Sequence, residues 1–315
     1  MIDRRTFLGT AALVGIPGMA RAAPRFEDEL KRLEAASGGR LGVALVDSRG
    51  ARPRGRRGDE RFPMCSTFKV LASAALLHRV DAGQDKLDRR VTYTTANLVP
   101  YSPVTEKHTR DGLTLAQLCE AAITLSDNTA GNLLLASIGG PAGLTAFAAS
   151  LGDRTTRLDR TEPTLNEALP GDVRDTTTPN AMAETLSKIT IGSALSAVSR
   201  ARLAAWMAAS KTGDARLRAG LPRGWPVGDK TGTGNRGTAN DIAVIWPPGR
   251  PPVILTTYLT GASGDGSAND AVIASVARAA AAMLGSSSGL ALIPPGPGLA
   301  QPPRSRPPCD GRPRS

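Results

Sequence analysis

Apolar positions along the chain follow two periodicities, and their order predicts the architecture. Residues 24–39, PRFEDELKRLEAASGG, carry apolar side chains at helical spacing and stop at a Gly-Gly pair, which predicts a helix with a C-terminal signal. LGVALVD (41–47) is a short apolar run followed by a polar, glycine-rich turn, a strand entering a hairpin. From Ser66 the pattern STFKVLASAALLHRVDAG (66–83) is helical, opening on a cap-type residue and closing on Gly83. TLAQLCEAAITLSD and NTAGNLLLASIGG predict two more helices with a break near Ser126–Asn128, and GPAGLTAFAASLGD predicts another. Residues 154–179 are polar, lack periodicity and hold three prolines, so they predict a long loop, which inside a compact domain is usually functional. Helical patterns resume at 179–192 and 194–209. Strand-like runs follow in WPVGDKT, ANDIAVIWP and VILTTYLT, and an alanine-rich helix covers 269–284.

Strand patterns from both ends thus flank a block of helices. The simplest fold is α/β of the α+β kind: an antiparallel sheet flanked by helices and built from both chain ends, with an inserted all-helical domain. The expected division is 23–60 and 214–285 for the α/β domain and 61–213 for the all-α domain, with a site between them. Residues 286–315 are rich in Pro, Gly and Ser and predict a disordered tail.

The leader changes the picture of the first residues. Arg4-Arg5, then Phe7-Leu8, a short apolar run and Ala20-Arg21-Ala22 predict a signal peptide over residues 1–22. Its start resembles the twin-arginine export signal, which implies a periplasmic or secreted protein. The apolar run is too short to span a bilayer, so no stable membrane association is expected.

The formal charge of +11 is uneven. Residues 1–22 carry three arginines and one aspartate, and 286–315 carry four arginines and one aspartate, so the folded body holds +6. Its densest basic stretch, Arg49 to Arg61, has neither aromatic interleaving nor a nucleic-acid motif. It predicts a solvated hairpin loop and no nucleic-acid partner. Aromatics are 3% of residues, so the core should be aliphatic. Three scattered cysteines make no disulfide framework, and no Cys/His cluster has metal spacing, so neither metal nor cofactor is implied.

Three short motifs carry candidate chemistry. Ser66 and Lys69 share one face of a helix at i and i+3, where a hydroxyl at the N-terminal end meets the positive end of the dipole. Ser126-Asp127-Asn128 falls at a helix break, and Lys230-Thr231-Gly232 lies on a strand, followed by Thr233. Each alone is common in proteins. Together and in this order, Ser-x-x-Lys, Ser-Asp-Asn and Lys-Thr-Gly resemble the penicillin-binding proteins and class A β-lactamases, a motif set documented for those enzymes. The resemblance to class A runs from about Arg25 to Leu284. In the long loop, RTEPTLN places Glu162 and Asn166 where class A enzymes hold a deacylating water, while D,D-peptidases and penicillin sensors have no need of that pair.

The resemblance implies hydrolysis of penicillins and cephalosporins by a monomeric enzyme. Ser66 would attack the lactam carbonyl, and Ser126, with Lys69 and Lys230, would pass a proton to the lactam nitrogen. Glu162 with Asn166 would hydrolyse the acyl-enzyme, and the family leaves open whether Lys69 or Glu162 is the acylation base. Substrate contacts would come from Tyr101, Asn128, Arg216, Thr231, Gly232 and Thr233. Arg216 resembles the arginine of one branch of the family that binds the substrate carboxylate, since the usual place in GTAND is Ala239. Arg160 and Asp175 resemble the salt bridge that shapes the loop. The disulfide of some carbapenem-hydrolysing members is not implied, because the place opposite Cys65 is Gly234. The usual partner of Cys119 is replaced by Ser73, so both thiols should be free.

Replacing Arg4 and Arg5 together by lysine is expected to hold the enzyme in the cytoplasm. Cell fractionation checks this, and normal periplasmic activity of the double variant would reject the twin-arginine assignment.

Overall fold

The computed structural model describes residues 25–47 and 52–286. The leader, Ser48–Ala51, Cys309 and the tail from residue 287 lie outside the described residues.

The chain opens with α1 (Phe26–Ser37), whose first turn holds Glu27, Asp28 and Glu29 at the positive end of its dipole and which ends at Gly38 with φ 68°. Strands β1 (Arg40–Asp47), β2 (Arg54–Arg56) and β3 (Phe62–Pro63) follow, then a 3-10 turn at Cys65–Thr67 and helix α2 (Phe68–Asp81). A short pair, β4 (Arg90–Val91) with β5 (Leu113–Thr114), precedes α3 (Leu115–Thr124), α4 (Asn128–Ser137) and α5 (Gly140–Ser150). The long loop ends in β6 (Thr176–Thr177), which pairs with β3, and gives way to α6 (Pro179–Thr190), α7 (Ala197–Ala208) and the single turn α8 (Leu217–Gly220). Strands β7 (Val227–Gly234), β8 (Thr238–Ile245) and β9 (Val253–Thr260) lead to the final helix α9 (Gly266–Ser286).

The main sheet has the order β2-β1-β9-β8-β7, with every neighbouring pair antiparallel. Period-two alternation divides its side chains between two apolar clusters. Leu41, Val43 and Leu45 of β1, with Ala243 and Ile245 of β8, pack against Leu30, Ile273 and Val276 of α1 and α9. Ala44, Ile242, Val244 and Tyr258 face the other way and join the cluster built on α2, α3, α4 and α6. Every residue of β8 is buried, as a central strand covered by helices on both faces must be. The core is aliphatic, as the low aromatic content requires.

Several boundaries differ from the pattern reading for local reasons. The helix at Ser66 begins only at Phe68, because the Met64 carbonyl accepts both the N–H and the hydroxyl of Thr67 and closes a 3-10 turn. Trp225 and Pro226 precede β7, which instead continues to Gly234. Helix α7 starts at Ala197, where the Ser196 hydroxyl accepts the Ser199 N–H. The final helix starts at Gly266, ahead of the expected 269.

The basic stretch is not a free solvated loop. It carries edge strand β2, and three of its arginines meet carboxylates: Arg54 pairs with Glu27, and Arg56 and Arg57 with the buried Glu34, while its Glu60 meets Arg40 of β1. Glu34 also accepts the Leu41 N–H at 3.0 Å, which ties α1 to β1. Burial raises the Glu34 pKa, but hydrogen bonds from Arg57, Arg56 and Leu41 outweigh it and lower the carboxyl to about 2.

Because the folded pKa is depressed, this contribution is complete above the ordinary value of about 4.5 and is lost as the pH falls towards about 2. Glu34→Gln is therefore expected to be less stable at neutral pH by about 1–3 kcal/mol. Its stability should also fall less steeply than that of the parent between those two pH values. Thermal melts across that window check both, and parallel curves would reject the role given to Glu34.

Candidate active site

Three elements converge on one cleft. The 3-10 turn and the start of α2 present Ser66 and Lys69, the break between α3 and α4 presents Ser126, and β7 presents Lys230. Lys69 Nζ donates to Ser66 Oγ at 2.8 Å, to the Ser126 carbonyl at 2.8 Å and to Asn128 Oδ1 at 2.7 Å. The Ser66 hydroxyl donates to Glu162 Oε1 at 3.0 Å, and Lys69 Nζ lies 3.0 Å from the same oxygen. On the other side, Lys230 Nζ donates to Ser126 Oγ at 2.9 Å and to the Thr231 carbonyl at 2.8 Å. Ser126 adopts φ 57°, a left-handed conformation that turns its carbonyl and its hydroxyl towards the two lysines.

Both lysines are fully buried. Burial pulls Lys69 below the ordinary lysine value, and the Glu162 carboxylate opposes that pull. Burial lowers Lys230 further, with the Lys69 charge adding to the effect. Glycine makes two of the approaches possible. A Cβ at Gly131 would lie 2.8 Å from Lys69 Cε, and one at Gly232 would lie 2.8 Å from the Met64 carbonyl, against which β7 packs.

The long loop brings Glu162 and Asn166 together, with Asn166 Nδ2 donating to Glu162 Oε2 at 2.5 Å. Asn166 Oδ1 is buried with no partner among the described residues. The loop is clasped as the resemblance implied. Arg160 Nε donates to Asp175 Oδ2 at 2.5 Å, and Asp175 Oδ1 accepts the N–H groups of Asp159 and Arg160. Arg160 also reaches Glu167 at 2.5 Å, so the clasp has two arms.

The far wall differs in part from the sequence reading. Arg216 lines the cleft but is itself buried, and its guanidinium donates to Thr233 Oγ1, Asp270 Oδ1 and the carbonyls of Gly232 and Asn240. It therefore holds the wall together besides charging it. Asn128 lines the cleft, but its amide also serves Lys69 and the Pro100 carbonyl. Thr231 bonds Thr212 through its hydroxyl at 2.6 Å. Tyr101, 61% exposed, stands at the mouth. The resulting cavity of about 400 Å³ is lined by Ser66, Ser126, Asn166, Thr231 and Thr233 among others.

Sequence reasoning missed Asn132. Its Nδ2 donates to the Glu162 carbonyl at 3.0 Å and its Oδ1 accepts the Glu162 N–H at 2.9 Å, so one amide locks the backbone beside the carboxylate. The available signal was its spacing: Asn132 lies at i+4 from Asn128, on the same helix face. Cys65 and Cys119 are buried free thiols. Burial raises both, Cys119 to about 12, which makes them poor nucleophiles.

The fold and this cleft define a serine hydrolase built on an α+β penicillin-recognising scaffold. A family model described as the Beta-lactamase enzyme family matches residues 25–284. The β-lactamase CTX-M-8 of Citrobacter amalonaticus is 50% identical over 280 residues, which is 88% of this chain and 96% of that protein. The β-lactamase OXY-1 of Klebsiella oxytoca is 48% identical over 279 residues, 87% of this chain and 96% of that one. The solved structure of an ancestral class A β-lactamase, GNCA, superposes with a TM-score of 0.81 at 63% identity, covering 82% of this chain and 100% of its own. The chain belongs to the class A serine β-lactamases, and it hydrolyses β-lactams.

Arg216→Ala is expected to raise KM for penicillins by about tenfold or more, through loss of a charge-assisted contact of about 1.5–3 kcal/mol. It should also lower Tm, because Asp270 and two strand carbonyls lose their donor. Steady-state kinetics and a thermal melt check the two effects, and an unchanged KM would mean that the substrate carboxylate is held elsewhere.

Proposed function

We propose that the enzyme opens penicillins and cephalosporins with Ser66 as nucleophile and Glu162 as the base in both half-reactions. The observation that carries this reading is the hydrogen bonding of Ser66: its hydroxyl donates to Glu162 Oε1 while its oxygen accepts from Lys69. In acylation, Ser66 Oγ attacks the lactam carbonyl and its proton passes to Glu162. The backbone N–H groups of Ser66 and Thr233 receive the oxyanion, beside the positive end of α2. The C–N bond then breaks, the lactam nitrogen takes the proton of Ser126, and Lys69 replaces that proton. Glu162 passes the proton it took from Ser66 to Lys69, 3.0 Å away, so that the carboxylate is free again.

In deacylation, a water held by Glu162 and Asn166 loses a proton to Glu162 and attacks the ester. Ser66 leaves with a proton, and the base is restored. The unpartnered buried Asn166 Oδ1 supports this water position, since it offers one more acceptor beside the carboxylate. Two easier steps thus replace one difficult one. Arg216, Thr231 and Thr233 would take the substrate carboxylate, Tyr101 would line the mouth, and Asn128 would meet the acylamino side chain through the amide hydrogen that Pro100 does not use.

The enzyme would act as a monomer outside the inner membrane. The Arg4-Arg5-x-Phe-Leu leader supports export through the twin-arginine pathway. No single helix among the described residues is long and apolar enough to cross a membrane.

Glu162→Ala is expected to acylate slowly and then stop. Intact-protein mass spectrometry should show a persistent penicilloyl adduct that Ser66→Ala cannot form. Nitrocefin turnover should fall by about 10²–10⁴-fold, the size of lost general-base catalysis. Turnover of Glu162→Ala at the parent rate would sink the assignment of the base.

A further inference from the structure

A second cavity, of about 550 Å³, shares no lining residue with the catalytic cleft. One wall is the later part of the long loop, with Leu169, Pro170 and Val173. Another is formed where α1 meets β1, and a third by the β7–β8 turn at Arg236. Its volume and its apolar walls fall in the range of small-molecule sites, which add a few polar groups to an apolar body. Leu169 and Val173 are two of the four large apolar side chains left exposed among the described residues, and both line this cavity.

Its charges are not balanced. The two carboxylates on the rim are already engaged: Glu60 accepts from Arg40 at 2.8 Å and from Arg57 at 2.7 Å, and Asp172 accepts from Arg174 at 2.8 Å. Arg61 donates through Nη1 to two neutral oxygens, the Thr155 carbonyl and Thr176 Oγ1. The guanidinium of Arg236 has no hydrogen-bond or ion-pair partner among the described residues. Arg236 is also held at φ 57° at the tip of a tight turn, followed by Gly237 at φ 62°, in a position where Asn, Asp or Gly is the usual occupant. A long cationic side chain in that conformation stands over an apolar cavity without a counter-charge.

We propose that this cavity binds a small amphipathic anion, an aromatic or short alkyl body carrying one sulfonate, carboxylate or phosphate group. The body would lie against Leu169, Pro170 and Val173, and the anionic group would sit on Arg236. Charge complementarity selects this occupant over a neutral one.

Fluorescence titration of the full mature enzyme with anilinonaphthalene sulfonate tests the site, with the uncharged phenylnaphthylamine as its neutral counterpart. Saturable binding of the sulfonate is expected, weakened about tenfold or more by Arg236→Glu or Val173→Asp, the scale of a lost charge-assisted contact. Binding should persist when Ser66 is acylated, and melting curves and nitrocefin turnover of the variants should match the parent. Arg236→Gln gives a gentler second variant with the same expected direction. No saturable binding, equal affinity in all variants, equal binding of the neutral probe, or loss on acylation would each overturn the proposal. Binding that appears only after residues 287–315 are removed would make the tail the occupant and would overturn it too.

Discussion

The ammonium of Lys69 is wholly removed from solvent, and the site is organised around it. Burying a charge costs several kcal/mol unless its donors are satisfied and a counter-charge stands near. Its partners come from separate segments: Ser66 at the start of α2, Ser126 and Asn128 at the break between α3 and α4, and Glu162 in the long loop. That requirement explains the break. An uninterrupted helix would keep the Ser126 carbonyl in its own ladder, whereas here it is free for Lys69. Asp127 stabilises the break by accepting the Ala130 N–H of α4 and the N–H groups of Val104 and Thr105, which fixes the segment that follows Tyr101. Removing one member of such a buried set would cost about 3–5 kcal/mol, since the charge would remain without its partner.

The sheet side answers the same electrostatic demand from behind. Two carboxyls, Asp229 and Asp241, are buried beneath the cleft. Burial raises both, and for Asp241 the neighbouring Asp229 charge adds to the effect. Arg218 pairs with Asp229, and Asp241 accepts the Leu217 N–H. The single turn α8, through Arg218 within it and Arg216 just before it, is therefore pinned to the acids of the sheet at one side and to Asp270 of α9 at the other. Arg216 can then present a fixed cation to the cleft from a segment too short to hold itself.

The chemistry of the site was legible because its motifs are local. Ser66 and Lys69 are one turn apart, and Ser126 falls at a break that the helical pattern already marked. The four long strands were legible through their short apolar runs, except where Trp225 and Pro226 mimic a start that the ladder does not use, whereas the two- and three-residue strands β2 to β6 are too short to leave such a run. What stayed hidden depends on distant partners. Nothing near Arg56 or Arg57 announces Glu34, so a basic stretch read as a solvated loop proves to be an edge strand tied to α1. The role of Asn132 exists only once the long loop folds back over α4. The 3-10 turn at Ser66 depends on Asn240, whose amide holds the carbonyls of Pro63 and Met64 from across the sheet.

The loop itself shows how a segment without periodicity can carry a base. It has little apolar burial to hold it, with Leu158 and Leu165 as its main anchors. Order comes instead from Arg160, whose guanidinium joins Asp175 near the end of the loop to Glu167 in its middle. Asn132 then fixes the backbone at Glu162 from the helical side, and the Asn166 carbonyl accepts the Asn235 N–H at 2.9 Å from the sheet side. A base that must act on a water after acylation needs its position set before the water arrives, because reorganisation at that moment would raise the barrier. The loop meets that need with one internal clasp and polar ties to two other elements, α4 and the β7–β8 turn. The same arrangement separates two surfaces: Glu162 and Asn166 face Ser66 and the catalytic cleft, and Ala168 to Val173, after the Asn166–Asn235 bond, line the second cavity.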